Sequence, residues 1–367
     1  MSQKEQPVRF LQLDPNMRIV EGSESPAAWY RPTEEPFHVA GFAWLRQDGR
    51  YRRLPTAPAW PVPAAVDALA NCTAGGQIRF RTDSASLSVK VKLAGAADMY
   101  HMPATGQCGF DCYIGDFGEQ RYLSTTRYDH RLKMYESVLF EKLDRQMRTV
   151  TLNFPLYQAV EEVLIGLDKD AQAAPPPAYD TDRKVIFYGT SITQGGCASR
   201  PGLAYPNILS RRFNREFLNF GFAGNGKGEP ELARIIAEIP DPECLILDYE
   251  ANCVSTELLQ QTLPAFIAIY RERHPDTPIL VISRITYAKD RFHAEMARHK
   301  AERKQVQLRA VEQRREQGDN NIYFFDGSDL LGESADECTV DGVHPTDLGF
   351  MRMADGLTPV LKRMLNG

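Results

Sequence analysis

Lys184-Val185-Ile186-Phe187-Tyr188-Gly189-Thr190-Ser191-Ile192-Thr193-Gln194-Gly195-Gly196 begins with β-branched and aromatic residues, breaks at a glycine, and places a serine two residues later. The run reads as a strand and the glycine as its stop. A strand ending this way holds a hydroxyl at the carboxyl edge of its sheet, where open α/β folds bind ligands. Far downstream, Asp341-Gly342-Val343-His344-Pro345 sets a carboxylate three residues ahead of an imidazole. One tight turn there would aim the histidine at a distant serine. Ser191, His344 and Asp341 are therefore candidate nucleophile, base and orienting acid for acyl transfer.

Around the serine, strands and helices alternate. Strand patterns fall at Val185–Tyr188, Phe217–Phe220, Cys244–Tyr249, Ile279–Ser283 and Ile322–Phe325. Helical patterns lie between them at Ala204–Asn214, Glu231–Glu238, Glu257–Arg273 and His293–Arg315, with a last helix from Thr346. Such alternation predicts a parallel sheet covered on both faces. The first half reads instead as β. Ile78, Phe80, Leu87, Val89, Val91 and Leu93 alternate about a turn at Thr82-Asp83-Ser84, and Val150, Leu152 and Phe154 repeat the pattern. Many short strands with turns between them predict an all-β sandwich of jelly-roll type. Between the halves, Ala173-Ala174-Pro175-Pro176-Pro177-Ala178 reads as a semi-rigid spacer that neither pairs into a sheet nor continues a helix. The expected division is a sandwich over 1–170, a linker over 171–183 and an α/β domain over 184–367.

Composition narrows the field. With 367 residues, 43% hydrophobic and 25% charged, the chain has ample material for two cores. A net charge of −5 argues against nucleic acid as the main partner. The first residues lack the apolar core of a secretory leader, and no apolar run reaches membrane-spanning length. The seven cysteines are odd in number and scattered, which suits free thiols in a cytoplasmic protein. The basic run from Arg298 to Arg315 is interleaved with Glu302, Glu312, Val306, Leu308 and Val311, as on a solvated helix.

Each site residue has a plainer use. Ser191 could be only a helix cap, and Thr193 stands where the α/β-hydrolase elbow has its second glycine. Asp341-Gly342 could be an ordinary turn beside a surface histidine. Two further segments favour a site. Asn219-Phe220-Gly221-Phe222-Ala223-Gly224-Asn225-Gly226 follows the second strand of the α/β half, and its glycines let backbone amides approach a ligand. Gly224 is the candidate amide donor toward a tetrahedral oxyanion. Leu247-Asp248-Tyr249-Glu250-Ala251-Asn252-Cys253 ends the third strand, and the Asn252 side chain could give a second donor. All four segments would meet at one sheet edge.

This ordered set resembles the SGNH, or GDSL-type, hydrolase superfamily, whose four blocks centre on Ser, Gly, Asn and His, here Ser191, Gly224, Asn252 and His344. The resemblance spans roughly residues 183 to 365 and implies a flavodoxin-like three-layer domain. It also implies an oxyanion hole formed by the Ser191 amide, the Gly224 amide and the Asn252 side chain, with Asp341 and His344 as acid and base. Two blocks depart from the pattern: Gly-Asp-Ser-Leu reads Gly189-Thr190-Ser191-Ile192, and Gly-x-Asn-Asp reads Glu250-Ala251-Asn252-Cys253. Gly109-Phe110-Asp111-Cys112-Tyr113 is similar to the Gly-x-Asp-Leu-Tyr motif of a β-sandwich that precedes certain SGNH hydrolases, among them carbohydrate esterases and a polyketide acyltransferase subgroup. Gly41-Phe42-Ala43-Trp44 and Arg53-Leu54-Pro55 fit the same group.

The expected activity is hydrolysis of a short acyl ester, acetyl on a carbohydrate, through an acyl-serine, with no metal or organic cofactor. The expected partner is a small-molecule or oligosaccharide ester; a homo-oligomer is compatible with the sequence. Acyl transfer to a non-water acceptor, or a carbohydrate-binding protein with an inactive hydrolase domain, are the alternatives. Asp111 and Tyr113 read as a turn within the sandwich. Asp98-Met99-Tyr100-His101-Met102-Pro103 is a segment that could reach over the site. Most of the positions Trp29, Trp44 and Trp60 are expected in sandwich core.

Overall fold

A computed structural model of the chain describes Asp14 and residues 27–365. The continuous apolar runs of the second half form a five-stranded sheet of β11 (Lys184–Gly189), β12 (Glu216–Gly221), β13 (Pro242–Asp248), β14 (Ile279–Ile282) and β15 (Ile322–Phe325). All pairings are parallel, in the order β12-β11-β13-β14-β15. That is the flavodoxin-type order, with β11 at the point where the winding reverses.

The strands are predominantly apolar because both faces of the sheet are covered. Ile186 and Tyr188 face one core with Leu232, Ile235 and Ile236 of α6 (Pro230–Ala237), Leu263 and Phe266 of α7 (Thr256–Arg273) and Val306 of α8 (Ala294–Glu316). Val185 and Phe187 face the other, with Ile208 and Leu209 of α5 (Tyr205–Phe213) and Phe350, Met353 and Leu357 of α9 (Asp347–Leu365). No described helix is long and apolar enough to cross a membrane.

The first half is an antiparallel sandwich. One sheet orders β1 (Ala27–Tyr30), β9 (Val160–Asp168), β4 (Leu87–Leu93) and β7 (Met134–Phe140) as β1-β9-β4-β7. The second runs β10-β3-β8-β5-β6, with β10 (Ala173–Ala174), β3 (Gln77–Thr82), β8 (Arg148–Asn153), β5 (Asp111–Ile114) and β6 (Arg121–Thr125); β2 (His38–Ala40) also pairs with β3. Inward-facing Ile78, Phe80, Val89, Val91, Val150, Leu152, Val163 and Ile165 interleave between the sheets. The turn at Thr82-Asp83-Ser84 therefore joins two sheets and closes no hairpin, since β3 and β4 lie in different sheets.

Three expectations need correcting. The proline spacer is partly in a sheet: Ala173 and Ala174 pair with Thr82 and Arg81. Beyond them, the Pro177 carbonyl accepts from Arg79 at 3.0 Å, so the segment lies along the sandwich. Second, the halves share cores. Leu54, Val66 and Ala70, around α2 (Ala64–Leu69), enter one α/β core, while Ala74, Met102 and Leu156 enter the other. Third, Trp44 and Trp60 pack against the α/β core rather than inside the sandwich, with Trp44 edge-on to Phe220 at 6.1 Å. Two further short helices, α1 (Leu45–Asp48) and α3 (Ala104–Gln107), stand beside these contacts.

Candidate active site

Strand β11 stops at Gly189, whose added Cβ would meet Thr193 Oγ1 at 2.0 Å. The chain then turns straight into α4 (Ser191–Gln194). Thr190 caps this helix: its Oγ1 accepts from Ile192 N at 3.2 Å, and Thr193 Oγ1 accepts from Thr190 N at 3.2 Å. The reciprocal cap explains why threonine serves where the family pattern has aspartate. Ser191 occupies the first helical position, where a backbone N–H has no acceptor within the helix. Tyr157, from the first half, donates from its hydroxyl to the Ser191 carbonyl at 3.0 Å.

Before α9, the segment Asp341-Gly342-Val343-His344 closes as a tight turn with Gly342 at φ +85°, in the left-handed region that suits glycine. Asp341 Oδ1 accepts from the amides of Val343 and His344, at 3.0 and 2.8 Å. Its other oxygen faces His344 Nδ1 at 2.8 Å, and His344 Nε2 lies 2.8 Å from Ser191 Oγ. Serine, imidazole and carboxylate thus form one continuous hydrogen-bonded chain across 153 residues of sequence. Desolvation pushes the Asp341 carboxyl up, but the hydrogen bonds from His344, its charge and the Val343 amide outweigh it and hold the group below the usual range. An ionised Asp341 favours the tautomer with the proton on Nδ1, leaving Nε2 to accept from the serine.

Gly224 and Asn252 belong to one loop assembly. The Phe222 carbonyl accepts from Asn225 N at 3.0 Å, Gly226 N at 3.1 Å and Asn252 Nδ2 at 3.0 Å. That bond uses one of the two amide hydrogens of Asn252; the second is left for another acceptor. Gly224 has φ +65° and open space where a side chain would stand. Gln194 ties the loop to the serine helix by accepting from Ala223 N at 3.2 Å. Below it, the wholly buried Arg53 donates to the carbonyls of Asn219 and Gly221 and stacks over Phe222 at 4.9 Å. Glu250, where the family pattern has glycine, is buried and accepts from Arg284 N at 2.8 Å, so the altered block is firmly seated.

Segment 98–103 does reach the site. The His101 ring stands edge-on to His344 at 5.5 Å, and the exposed Tyr100 stacks on it at 4.5 Å. Gln107 fixes the segment by accepting from the amides of Asp98 and Met99 and donating to Asp98 Oδ1 at 2.7 Å. Asp111 is not a turn residue: it is wholly buried in β5 and bonded across to the α/β half through Arg200 Nη1 and Gly202 N, each at 2.8 Å. Tyr157 escaped the sequence reading, and Gln194, Arg53 and Asp248 were quoted within motifs without a role, because the partners of all four are distant in sequence.

Asp248, at the end of β13, accepts from Tyr205 at 2.7 Å and Thr193 at 3.2 Å. Desolvation outweighs these two bonds and, with the nearby charge of Glu250, pushes its carboxyl up to about 7. An unfolded aspartate titrates near 3.9. Its contribution to stability is therefore fully present below about pH 4 and is lost as pH rises through about 7. Asp248→Asn keeps an acceptor for Tyr205 and Thr193 and removes this dependence. Relative to the variant, the wild type should lose about 2 kcal/mol of stability between pH 5 and pH 8 in denaturant titrations. Parallel curves would show that Asp248 ionises freely in the fold.

A serine–histidine–aspartate chain at the carboxyl edge of a flavodoxin-order sheet is the architecture of an ester hydrolase of the GDSL type. The chain belongs to the GDSL-like lipase/acylhydrolase family: residues 182–362 match its family model, and residues 27–173 match that of the N-terminus of SGNH-hydrolase-type esterases. A protein from Bacteroides ovatus ATCC 8483 described as a GDSL-like lipase is 30% identical, with a TM-score of 0.86 over 93% of this chain and 98% of its own. A salicylyl acyltransferase from a tetracycline biosynthetic pathway shares the fold at 22% identity and a TM-score of 0.76, covering 92% of this chain and 97% of its own. So does a family two carbohydrate esterase from Cellvibrio japonicus, at 14% identity and a TM-score of 0.60, covering 93% and 99%. No curated protein matches the sequence.

Proposed function

We propose that the chain is a serine esterase that removes short acyl groups, acetyl foremost, from a carbohydrate. The observation that carries this reading is the unbroken chain Ser191–His344–Asp341. His344 takes the Ser191 proton as the hydroxyl oxygen attacks the ester carbonyl. The tetrahedral oxyanion is held by the Ser191 and Gly224 amides and the free hydrogen of Asn252; one such donor is worth ~10²–10³ in turnover. The alcohol leaves with the proton from His344, and water, activated by the same base, cleaves the acyl-serine. The carbohydrate assignment draws on the fold shared, over both halves, with the Cellvibrio japonicus esterase.

A second reading, acyl transfer to an alcohol other than water, draws on the fold shared with the salicylyl acyltransferase. The same acyl-enzyme serves both, and the outcome depends on whether the site holds an acceptor while excluding water. A screen of p-nitrophenyl acyl esters beside acetylated monosaccharides and xylooligosaccharides, each with and without added alcohol, separates them. The esterase reading expects release of the free acid that falls with acyl length and is unchanged by alcohol. Acyl-alcohol products in excess of free acid would favour transfer. Labelling of Ser191 by a fluorophosphonate is expected in either case and would exclude an inactive hydrolase domain.

A further inference from the structure

Beside the base stand two side chains that the esterase chemistry does not use. Cys197 lies in the loop after α4; its thiol is free, and the residue is 3% exposed. Its backbone is held at φ +74°, a left-handed conformation uncommon for a residue with a Cβ. His101 comes from the other half of the molecule, and its Nδ1 is buried without a hydrogen-bond partner. Leaving such a polar atom unsatisfied is unfavourable, so a group that can bind it is favoured there. One ligand-capable atom each from His101, Cys197 and His344 all lie within 4.8 Å of one another.

The geometry points to an inhibitory metal site formed by His101, Cys197 and His344, selective for a soft or borderline ion such as Zn²⁺. The donor set argues the ion's identity. Two imidazoles and a thiolate suit Zn²⁺ or Cu⁺, whereas Mg²⁺ and Ca²⁺ take oxygen ligands. Zinc bonds of about 2.0–2.3 Å in a tetrahedron bring donor atoms to roughly 3.4–3.6 Å from one another. Closing from within 4.8 Å therefore takes a modest side-chain rotation. His101 is well placed for it, being only half-buried and stacked under the exposed Tyr100. Three protein ligands leave a fourth position for water, and the thiol proton passes to solvent as the ion binds.

The consequence for turnover follows from His344. Both of its nitrogens are already engaged, one by Ser191 and one by Asp341. An ion that takes either nitrogen breaks the relay, so metal binding and catalysis exclude each other. This inhibitory effect rests on His344 being the base proposed above; binding of the ion does not.

The test is a titration of the chelator-treated full chain with ZnCl₂, read as p-nitrophenyl acetate hydrolysis normalised to each protein's own metal-free rate. Wild type should lose activity at micromolar Zn²⁺ and regain it with EDTA, with Mg²⁺ and Ca²⁺ inert at the same concentration. Cys197→Ala and His101→Ala should each raise the half-inhibitory concentration more than about tenfold. Inhibition of either variant as strong as that of wild type would overturn the site, and none in wild type would overturn its inhibitory effect. Cys197→Ser serves if the alanine variant does not fold, and His101→Ala tests the site from a different segment.

Co²⁺ gives a readout independent of esterase activity. A thiolate-to-cobalt charge-transfer band is expected in wild type and in Ser191→Ala and is absent in Cys197→Ala. The band without Zn²⁺ inhibition would leave the ion bound and refute the role of His344. No band in either protein would refute the site itself.

Discussion

Ser191→Ala is expected to lower ester turnover at least ~10⁴-fold while leaving thermal unfolding unchanged. The hydroxyl makes one side-chain contact, with His344, and the fold around it is held by other groups: the Thr190 cap, the Tyr157 bond to the Ser191 carbonyl, and Asn219, which donates to Thr193 O at 2.8 Å. His344→Ala should match that loss, and the double variant should lose no more, because nucleophile and base act as one unit. Asp341→Asn should cost less, ~10²–10³-fold. The amide oxygen can still accept from Val343 and His344, so the turn survives while the charge that fixes the imidazole tautomer is gone. Single-turnover kinetics with p-nitrophenyl acetate would measure all three, and Ser191→Ala retaining more than a few per cent of turnover would refute the assignment.

How much of this was readable beforehand depended on how local the cause was. Four strands of the parallel sheet announced themselves because they are buried on both faces, which favours apolar runs such as Val185–Tyr188, whereas β15 buries only Ile322 fully. Edge strands gave weaker signals. β6 exposes Arg121, Tyr122 and Leu123, and β7 exposes Met134, so neither shows a clean alternation. The turn from Asp341 to His344 was legible because its bonds span two and three residues. The role of Arg53 was not, since its acceptors Asn219 and Gly221 lie 166 and 168 residues away. Trp44 and Trp60 misled for the same reason: their sequence neighbourhood is the sandwich, but the surface they cover belongs to the α/β half.

Asp111→Ala is expected to destabilise the protein by about 3–5 kcal/mol, the cost of removing one partner from a buried, hydrogen-bonded ion pair. The carboxylate is wholly inaccessible and binds three donors: Asn153 at 2.7 Å from the neighbouring strand, and Arg200 and Gly202 at 2.8 Å from the other half. Gly202 must be glycine there, because a Cβ would stand 2.6 Å from the Tyr113 ring and 2.7 Å from the carboxylate. Alanine leaves a buried amide, a buried backbone N–H and a guanidinium short of acceptors, although Tyr113 still accepts from Arg200 at 2.6 Å and Tyr122 still stacks on it at 3.7 Å. Asp111→Asn preserves shape and one acceptor, so its loss should be smaller, about 1–3 kcal/mol. The clamp also bears on chemistry. Arg200 and Gly202 continue the loop of Cys197 and Ser199, and Ser199 N donates to Asp347 at 2.8 Å, at the start of the helix that follows His344. Loosening it should therefore lower kcat for p-nitrophenyl acetate as well as the urea midpoint. A variant with reduced stability but wild-type kcat would show that the two halves are joined here for folding alone.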